Sequence, residues 1–314
     1  MKFNSMAAAL LAALSISGAS FGAVLYSEDF NVDPTANWTV NDPGLSDITA
    51  DFFYDYSAIG VPPAPNGVGA RGLKLTANNS GGVFSGFSVS PTGQSFSGNY
   101  KVKFDLWQNY VGPVGPGGSG TTQLSEFGIG TAGNVAVWPG SSPKESVMFS
   151  VTLDGGSAVD YRVYSSAFGS GHPEGDPVFS SGGFRNGSDP YYSGFGGESA
   201  PAAQALLYPG QTGTTDAGEL AFAWREVEID VAGGIATWFV DGLQIAQIDT
   251  SSLTLGGGNI LFGHSDTNTG SSTDPNDSLL NITLIDNIQV VPEPSSFVLC
   301  ILGLVCGLAA RRRR

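Results

Sequence analysis

Apolar and polar residues alternate along most of this chain, and that period of two constrains the fold more than any other feature. The alternation is clearest at residues 100–107 and 146–153. It places successive side chains on opposite faces of a half-buried strand, as in antiparallel sheets. We therefore predict an all-β fold, an antiparallel β-sandwich. Further strands are expected at residues 24–30, 71–76, 83–89, 122–129, 134–138, 158–164, 258–263 and 279–290.

The strongest local signal is a three-stranded meander at residues 221–249. Residues 227–231 alternate, and a turn at Gly233-Gly234 follows them. Asp241-Gly242 then provides the two-residue turn that is typical of a tight hairpin, because both residue types tolerate positive φ. The meander indicates three neighbouring antiparallel strands in one sheet.

The composition excludes several classes of function. The formal net charge is −15, whereas nucleic acids and anionic membranes bind basic patches. Glycine accounts for 45 of 314 residues, which indicates many turns between short strands. Both cysteines, Cys300 and Cys306, lie near the C-terminus. We therefore predict one large domain at residues 24–290 that has no disulfide and depends on its core for stability.

Residues 1–23 have the pattern of a secretory signal peptide. Lys2 precedes an apolar run at residues 7–16, and small residues follow at 18–20 and 22–23. Such a run is too short for a stable membrane span. The pattern predicts an N-terminal signal helix, export by the Sec machinery and removal of the helix.

Residues 291–314 have three parts, each with its own physical consequence. Pro292 and Pro294 lack the N–H that a continuing strand needs, so we expect an extended peptide there. Residues 296–310 are uncharged and mostly apolar, and as a helix they would measure about 22 Å against a bilayer core of ~30 Å. The arginines at 311–314 favour the cytoplasmic side. We predict a short C-terminal transmembrane helix with the domain outside.

This three-part order resembles the PEP-CTERM sorting signal of Gram-negative bacteria that make exopolysaccharide. The matching residues are Val291, Pro292, Glu293, Pro294, Arg311, Arg312, Arg313 and Arg314, together with the apolar run between them. The resemblance implies recognition by an exosortase, with cleavage near Pro-Glu-Pro. The protein would be anchored transiently in the inner membrane and then released to the cell surface or extracellular matrix.

The meander and the two ends of the domain resemble concanavalin A-like, laminin-G-type jelly rolls. The similarity lies in Trp224 through the segment 238–242, in the opening Glu28-Asp29-Phe30 and in the closing segment 285–288. Lectins, glycanases and structural modules share that fold, so the resemblance leaves the function open.

Residues 165–219 interrupt the strand pattern. The segment is rich in Gly, Ser, Pro and aromatic residues, and it is either a folded insertion or a functional loop over one face of the sandwich. Aromatic side chains stack on sugar rings or pack the core. As candidates for carbohydrate binding the sequence offers Trp107, Trp138, Tyr191 and Tyr192.

Glu226, Glu228 and Asp230 project from one face of a predicted strand. Paired acids on one strand of such a sandwich can flank a glycosidic bond. The laminarinase-like motif reads Glu-x-Asp-x-Glu, however, whereas this chain reads Glu-x-Glu-x-Asp. The other interpretation is a solvated face, and we assign no catalytic residue.

Three further acids are candidates for a structural Ca²⁺ site. Asp286 has the phase of the apolar residues in the last predicted strand, so it needs a partner. If the first and last strands pair, Glu28 and Asp29 would bring oxygen ligands to it. The alternative is a bulge or a backbone hydrogen bond that satisfies Asp286.

These observations predict an exported, exosortase-sorted protein of the cell surface or matrix, non-enzymatic, with polysaccharide as a candidate ligand. The alternative is a secreted glycan hydrolase or lyase. The His-rich zinc motifs and the P-loop are missing from the sequence, and His172 and His264 are its two histidines.

Overall fold

The computed structural model describes residues 23–44, 47–79, 84–112, 123–141, 144–153, 159–267 and 276–293. Its strands are β1 (Tyr26–Glu28), β2 (Trp38–Asn41), β3 (Ile48–Asp55), β4 (Arg71–Ala77), β5 (Ser85–Pro91), β6 (Tyr100–Asn109), β7 (Gln123–Thr131), β8 (Val147–Thr152), β9 (Tyr161–Tyr164), β10 (Trp224–Ala232), β11 (Ile235–Val240), β12 (Leu243–Asp249), β13 (Asn259–Asp266) and β14 (Ile282–Pro292). Short helices occupy Ala202–Leu207 and Asp277–Leu280, and 3₁₀ turns occupy Thr35–Asn37, Tyr56–Ile59 and Pro190–Tyr192.

These strands form two antiparallel sheets that pack face to face. The eight-stranded sheet has the order β12-β11-β10-β6-β14-β4-β3, with β1 also paired to β14. The six-stranded sheet has the order β2-β5-β13-β7-β8-β9. The prediction of an all-β antiparallel sandwich is confirmed.

The core lies between the sheets and is rich in aromatic side chains. Trp238 from β11 is fully buried and contacts the rings of Phe127, Phe149 and Tyr161 from the opposite sheet. Phe104 of β6 likewise meets Phe127 edge to face. Because apolar residues alternate along each strand, each sheet presents one apolar face to this shared core.

The predicted meander is present, and its turn has the expected backbone. Asp241 and Gly242 have φ values of 47° and 79° between β11 and β12, the left-handed conformations of a type I′ turn. A β-bulge in the pairing lies between Trp238 and Phe239. The three strands form one end of the eight-stranded sheet.

The predicted strand at residues 134–138 is wrong. Residues 132–141 instead form a loop that crosses the outer face of the six-stranded sheet. Val137 donates its N–H to the Ser88 hydroxyl at 3.0 Å, and the Trp138 ring lies directly over Gly86. A side chain at position 86 would collide with that ring, so glycine is required there. Val137 and Trp138 are buried against the sheet although they do not belong to a strand.

The segment 165–219 is folded onto the sandwich. It contains one 3₁₀ turn and one short helix, and isolated bridges join Phe179 to Ala246 and Ser199 to Thr214. Phe179, Tyr192 and Phe195 bury their rings in the main core. The aromatic residues of the segment therefore act largely as anchors.

The chain ends mostly lie outside the described residues. The predicted signal helix, Pro294, the apolar run 296–310 and the four arginines belong to ranges that the structure does not describe. Val291 and Pro292 complete β14, two residues beyond the predicted strand. Across the ranges given above, the helices are too short or too polar to cross a membrane.

Candidate functional site

The outer face of the six-stranded sheet holds the first candidate site. Phe127 of β7 and Tyr161 and Val163 of β9 point into the core, so Glu126, Arg162 and Tyr164 point the other way. The 132–141 loop covers part of this face through Val137 and Trp138. Tyr164 packs there against Val137, Met148 and Leu261 in a small apolar cluster.

A groove of about 560 Å³ opens beside that loop, and we call it the 84–164 groove. Its walls carry aromatic, basic and hydroxyl side chains together. The lining residues are Phe84, Pro139, Ser141, Lys144, Arg162, Tyr164, Ser166, Gly169, Ser170 and Thr267. Phe84 is 40% exposed, and its ring rests on Trp138 at 4.9 Å between centroids.

Two basic side chains line this groove. The ammonium group of Lys144 donates to the carbonyls of Pro139, at 2.9 Å, and Ser141, and it lies over the Tyr164 ring at 5.9 Å. Burial lowers the pKa of Lys144, while the neighbouring Glu126 acts in the opposite direction. Arg162 donates from Nε to the Val159 carbonyl at 3.0 Å.

Glu126 lies behind Lys144, fully buried. Its Oε1 accepts a hydrogen bond from the Ser265 hydroxyl, and its Oε2 has no hydrogen-bond partner among the described residues. Burial raises the pKa of Glu126 to about 8, against the smaller opposing effects of the Ser265 hydrogen bond, Lys144 and Arg162. At neutral pH this carboxyl is therefore mostly protonated.

A Ser-His-Asp hydrogen-bonded relay lies next to the same groove. The Ser165 hydroxyl is 3.1 Å from His172 Nε2, and His172 Nδ1 is 3.1 Å from Asp176 Oδ2. This order matches nucleophile, base and orienting acid in serine hydrolases. Ser165 is fully buried, however, and the Phe168 ring covers His172 at 4.3 Å. In this structure the relay stabilises the loop that contains residues 165–176.

The outer face of the eight-stranded sheet holds a row of three acids. Glu226 of β10 lies opposite Asp105 of β6, and Asp105 lies opposite Asp286 of β14. The structure thus joins two groups of predicted acids through Asp105, which the sequence analysis did not single out. Asp105 and Asp286 are both buried.

Amide donors hold Asp105 in place. Asn66 donates to it from its backbone N at 3.2 Å and from Nδ2 at 2.7 Å, and Asn287 donates from Nδ2 at 2.7 Å. Asp286 instead accepts from the Tyr56 hydroxyl at 3.0 Å and from the backbone N–H of Asn287 at 2.7 Å. Burial, reinforced by the charges of Asp105 and Asp29, raises the pKa of Asp286 to about 7.

The two buried aspartates give a prediction with an internal control. Asp105→Asn replaces one acceptor oxygen by an NH₂ that faces the donors of Asn66 and Asn287, and we expect it to lower the free energy of unfolding by about 1–3 kcal/mol. Asp286→Asn keeps one acceptor and mimics the protonated acid, so at pH 8 it should cost little. Urea unfolding of both variants measures this, and equal losses would contradict it.

A second groove, of about 400 Å³, lies beside this row of acids. Its lining includes Glu28, Asp29, Asn66, Asn287 and Gln289. Glu28 and Asp29 accept hydrogen bonds from the nearby N–H groups of Phe30 and Asn31. Within the described part of the chain, no three His, Cys, Asp or Glu side chains form a group that could hold a metal. The predicted Ca²⁺ site at Glu28, Asp29 and Asp286 is not assembled as expected.

The predicted strand acids are paired with lysines. Lys101 contacts Glu228 at 2.8 Å, and Lys103 contacts Glu228 at 3.2 Å and Glu226 at 3.6 Å. Burial opposes ionisation of Glu228, but the bond from Lys101 and the charges of both lysines outweigh it and lower its pKa. Asp230 lies opposite Lys101. This arrangement fits the interpretation of a charged, structural face.

The predicted sugar-binding aromatics have separate locations. Trp107 and Tyr192 are buried in the two main apolar clusters, so neither ring presents a face to a ligand in this structure. Tyr191 is half-buried and donates its hydroxyl to the Gln244 carbonyl at 2.6 Å. Trp138 supports Phe84 at the groove, but it is only 8% exposed.

No family model and no curated protein matches the sequence. Solved structures with a similar arrangement include a galectin-like protein of unknown function from Bacillus subtilis (13% identity, 86% of this chain and 96% of that one, TM-score 0.46). The Emp47p carbohydrate recognition domain is also similar (10% identity, 88% of this chain and 99% of that one, TM-score 0.44). So is a Bacillus licheniformis β-glucanase (10% identity, 85% of this chain and 98% of that one, TM-score 0.39). At these levels of similarity, the ligands and activities of those proteins cannot be assigned to this chain.

Proposed function

We propose that this protein is an exported, non-enzymatic glycan-binding protein of the cell surface or matrix, on a concanavalin A-like sandwich. The observation that carries the proposal is the 84–164 groove. It combines an exposed ring, Phe84, with basic and hydroxyl side chains in one cavity. Sugars present apolar C–H faces as well as hydroxyls, so they suit a site where aromatic and polar groups converge.

The Phe84 ring gives the direct test of this proposal. Phe84→Ala removes the exposed aromatic surface of the groove, and we expect it to weaken polysaccharide binding by about tenfold or more. Phe184→Ala is the matched control, because Phe184 is also an exposed phenylalanine but does not line the groove. Affinity electrophoresis against a panel of polysaccharides measures both. Equal binding by the two variants and the parent would contradict the location of the site.

Export and sorting rest on the sequence resemblance alone. The proposal expects Sec export, removal of residues 1–23, and exosortase cleavage close to Glu293 in a Gram-negative host. Mass spectrometry of the mature protein from such a host would identify both ends. A mature chain that retains residues 311–314 in cells with an active exosortase would overturn the sorting part.

The alternative is a glycan-processing enzyme, and the Ser165–His172–Asp176 relay is the observation that favours it. If Phe168 moved aside, the Ser165 hydroxyl could attack the carbonyl of an ester carried by a bound glycan, while His172 takes the serine proton and returns it to the glycan hydroxyl that leaves as the ester bond breaks. Water would then release the acyl group from Ser165. A fluorophosphonate probe would then label the protein, and Ser165→Ala would abolish the labelling. We expect no labelling, since Ser165 is fully buried. Shortened or deacylated polysaccharide after incubation would favour the enzyme.

A further inference from the structure

We propose that Asn66 is a self-modification site, at which attack by the backbone nitrogen of Gly67 turns the side-chain amide into a carboxylate and loosens the loop at residues 60–70. The sequence Asn-Gly occurs twice in this chain, at 66–67 and at 186–187. Glycine leaves its own nitrogen unhindered, because it has no Cβ. The two pairs lie in very different surroundings, and neither lines the 84–164 groove.

The reaction needs only the chain and water. The Gly67 N–H loses its proton to solvent, and the nitrogen attacks Cγ of Asn66 to close a five-membered succinimide ring. The side-chain nitrogen takes up a proton and leaves as ammonia. Water then opens the ring at one of its two carbonyls and gives aspartate or isoaspartate. One water is consumed, one ammonia is released, and the product carries a charge that the amide lacks.

The first Asn-Gly pair lies in an exposed part of the 60–70 loop. Pro65, Asn66, Gly67 and Val68 are all exposed. The Gly67 N–H forms no hydrogen bond with any residue that the structure describes. The Asn66 side chain is bound at the surface of the sheet, so ring closure follows a local opening of the loop. Such openings cost little free energy in exposed segments.

The second Asn-Gly pair is held on both sides of the reacting bond. Gly187 is buried, and its N–H donates to Asp160 Oδ2 at 2.6 Å. This bond to a carboxyl group stabilises the protonated nitrogen. On the other side, the Asn186 Oδ1 accepts from the Ser188 N–H at 2.8 Å, which fixes the side chain. Attack on Asn186 therefore requires the loss of both bonds.

Packing keeps the glycine next to Asn66. A Cβ on Gly67 would collide with the Asn287 side chain. Asn287 itself donates from Nδ2 to Asp105 at 2.7 Å, so it cannot move aside without losing that bond. The close contact that seats the loop on the sheet thus also preserves the sequence that makes Asn66 reactive.

Conversion to a carboxylate reverses the contribution of residue 66. Asn66 Nδ2 donates to Asp105 Oδ1 at 2.7 Å and to Glu226 Oε2 at 3.3 Å. A carboxylate has no N–H to donate, and it places a further negative charge beside these two acids. The contact that held the loop to the sheet becomes repulsive.

Other contacts limit how much of the loop is released. The Pro62 carbonyl accepts from Trp224 Nε1 at 2.7 Å, and the Ala64 N–H donates to the Tyr56 hydroxyl at 3.2 Å. Neither bond involves residue 66. We expect the loosening to begin after Ala64 and to include residues 66–68, which line the second groove.

The first experiment incubates the folded protein at pH 8.5 and 37 °C and follows both asparagines by peptide mapping with mass spectrometry. Asn66 should convert at least about tenfold faster than Asn186, because its surroundings open more easily. In guanidinium chloride the two rates should come within about threefold of each other, since the protection of Asn186 is lost with the fold. Equal rates in the folded protein, or faster conversion of Asn186, would overturn the proposal.

The second experiment tests the effect on the loop. Asn66→Asp reproduces the aspartate product, and thermolysin, which cleaves before apolar residues, should cut it between Gly67 and Val68 at least about fivefold faster than the parent. Asn186→Asp is the charge-matched control, because its carboxylate still accepts from Ser188, and it should be cut at this bond less than about twofold faster than the parent. Circular dichroism verifies that both variants fold. Cleavage of Asn66→Asp no faster than that of the control would contradict the release of the loop.

Discussion

Trp238→Ala is expected to lower the free energy of unfolding by about 3–5 kcal/mol. Trp238 is fully buried at the centre of the sandwich. Its ring lies 5.4 Å from the centroid of Phe127, 5.3 Å from Phe149 and 5.9 Å from Tyr161. Truncation would leave a cavity between the two sheets. Each strand is hydrogen-bonded to its neighbours, so no strand can move alone to fill that cavity. Equilibrium urea denaturation, followed by circular dichroism, measures the loss.

Phe184→Ala again provides the control, because Phe184 is 52% exposed. We expect this variant to lose less than about 1 kcal/mol, as is usual for exposed positions. If the two variants were equally stable, Trp238 could not be the centre of a shared core, and the two-sheet arrangement itself would be in question.

Glu126→Gln should make the protein more stable at alkaline pH. Burial raises the pKa of Glu126 from 4.5 to about 8, so the folded state holds its proton more tightly than the unfolded state does. The stability linked to this group is fully present below about pH 4.5 and is lost as pH rises towards 8. Glutamine keeps an oxygen for the Ser265 hydroxyl and cannot ionise. Above pH 8 the variant should exceed the parent by on the order of 4 kcal/mol.

The two proteins should differ by less than about 1 kcal/mol at pH 5, because that pH lies only just above the pKa of this carboxyl in the unfolded state. Unfolding curves from pH 5 to pH 9 measure the difference, and the variant should show the flatter profile. Parallel profiles would mean that Glu126 is ionised in the folded protein, paired with Lys144. The electrostatic surroundings of Lys144 in the 84–164 groove would then differ from those described above.

The sheet strands were predictable because their signal is local. Alternation identifies β6, β8 and β10, and the Asp241-Gly242 turn joins β11 to β12. The strands β2 (Trp38–Asn41) and β3 (Ile48–Asp55) were missed. Residues 134–138 were misread as a strand, since Val137 and Trp138 are also buried against a sheet. A period of two reports which side chains are covered, and both a strand and a packed loop can produce it.

The sites were much less predictable, because residues far apart in the sequence form them. Phe84 precedes β5, Lys144 precedes β8 and Arg162 lies in β9. No short motif connects these three residues. Sequence alone places Glu226 and Asp286 in different strands, but only the register of β10, β6 and β14 shows that Asp105 stands between them. Aromatic content was a poor guide, since Trp107 and Tyr192 pack the core. The position of Lys144 just before a predicted strand was the one available signal for the groove, and such a position alone does not indicate a site.

The position of β14 limits where a protease can shorten this domain. The strand lies between β6 on one side and β4 and β1 on the other, and its last residue, Pro292, pairs with Tyr100. Glu293 adds a backbone bond to Asn99 at 3.2 Å and an ion pair with Lys101 at 3.5 Å. Cleavage beyond Glu293 leaves every one of these contacts in place. Cleavage a few residues earlier would remove part of an interior strand from its neighbours, so cuts that preserve the sheet and cuts that disrupt it are separated here by only a few peptide bonds.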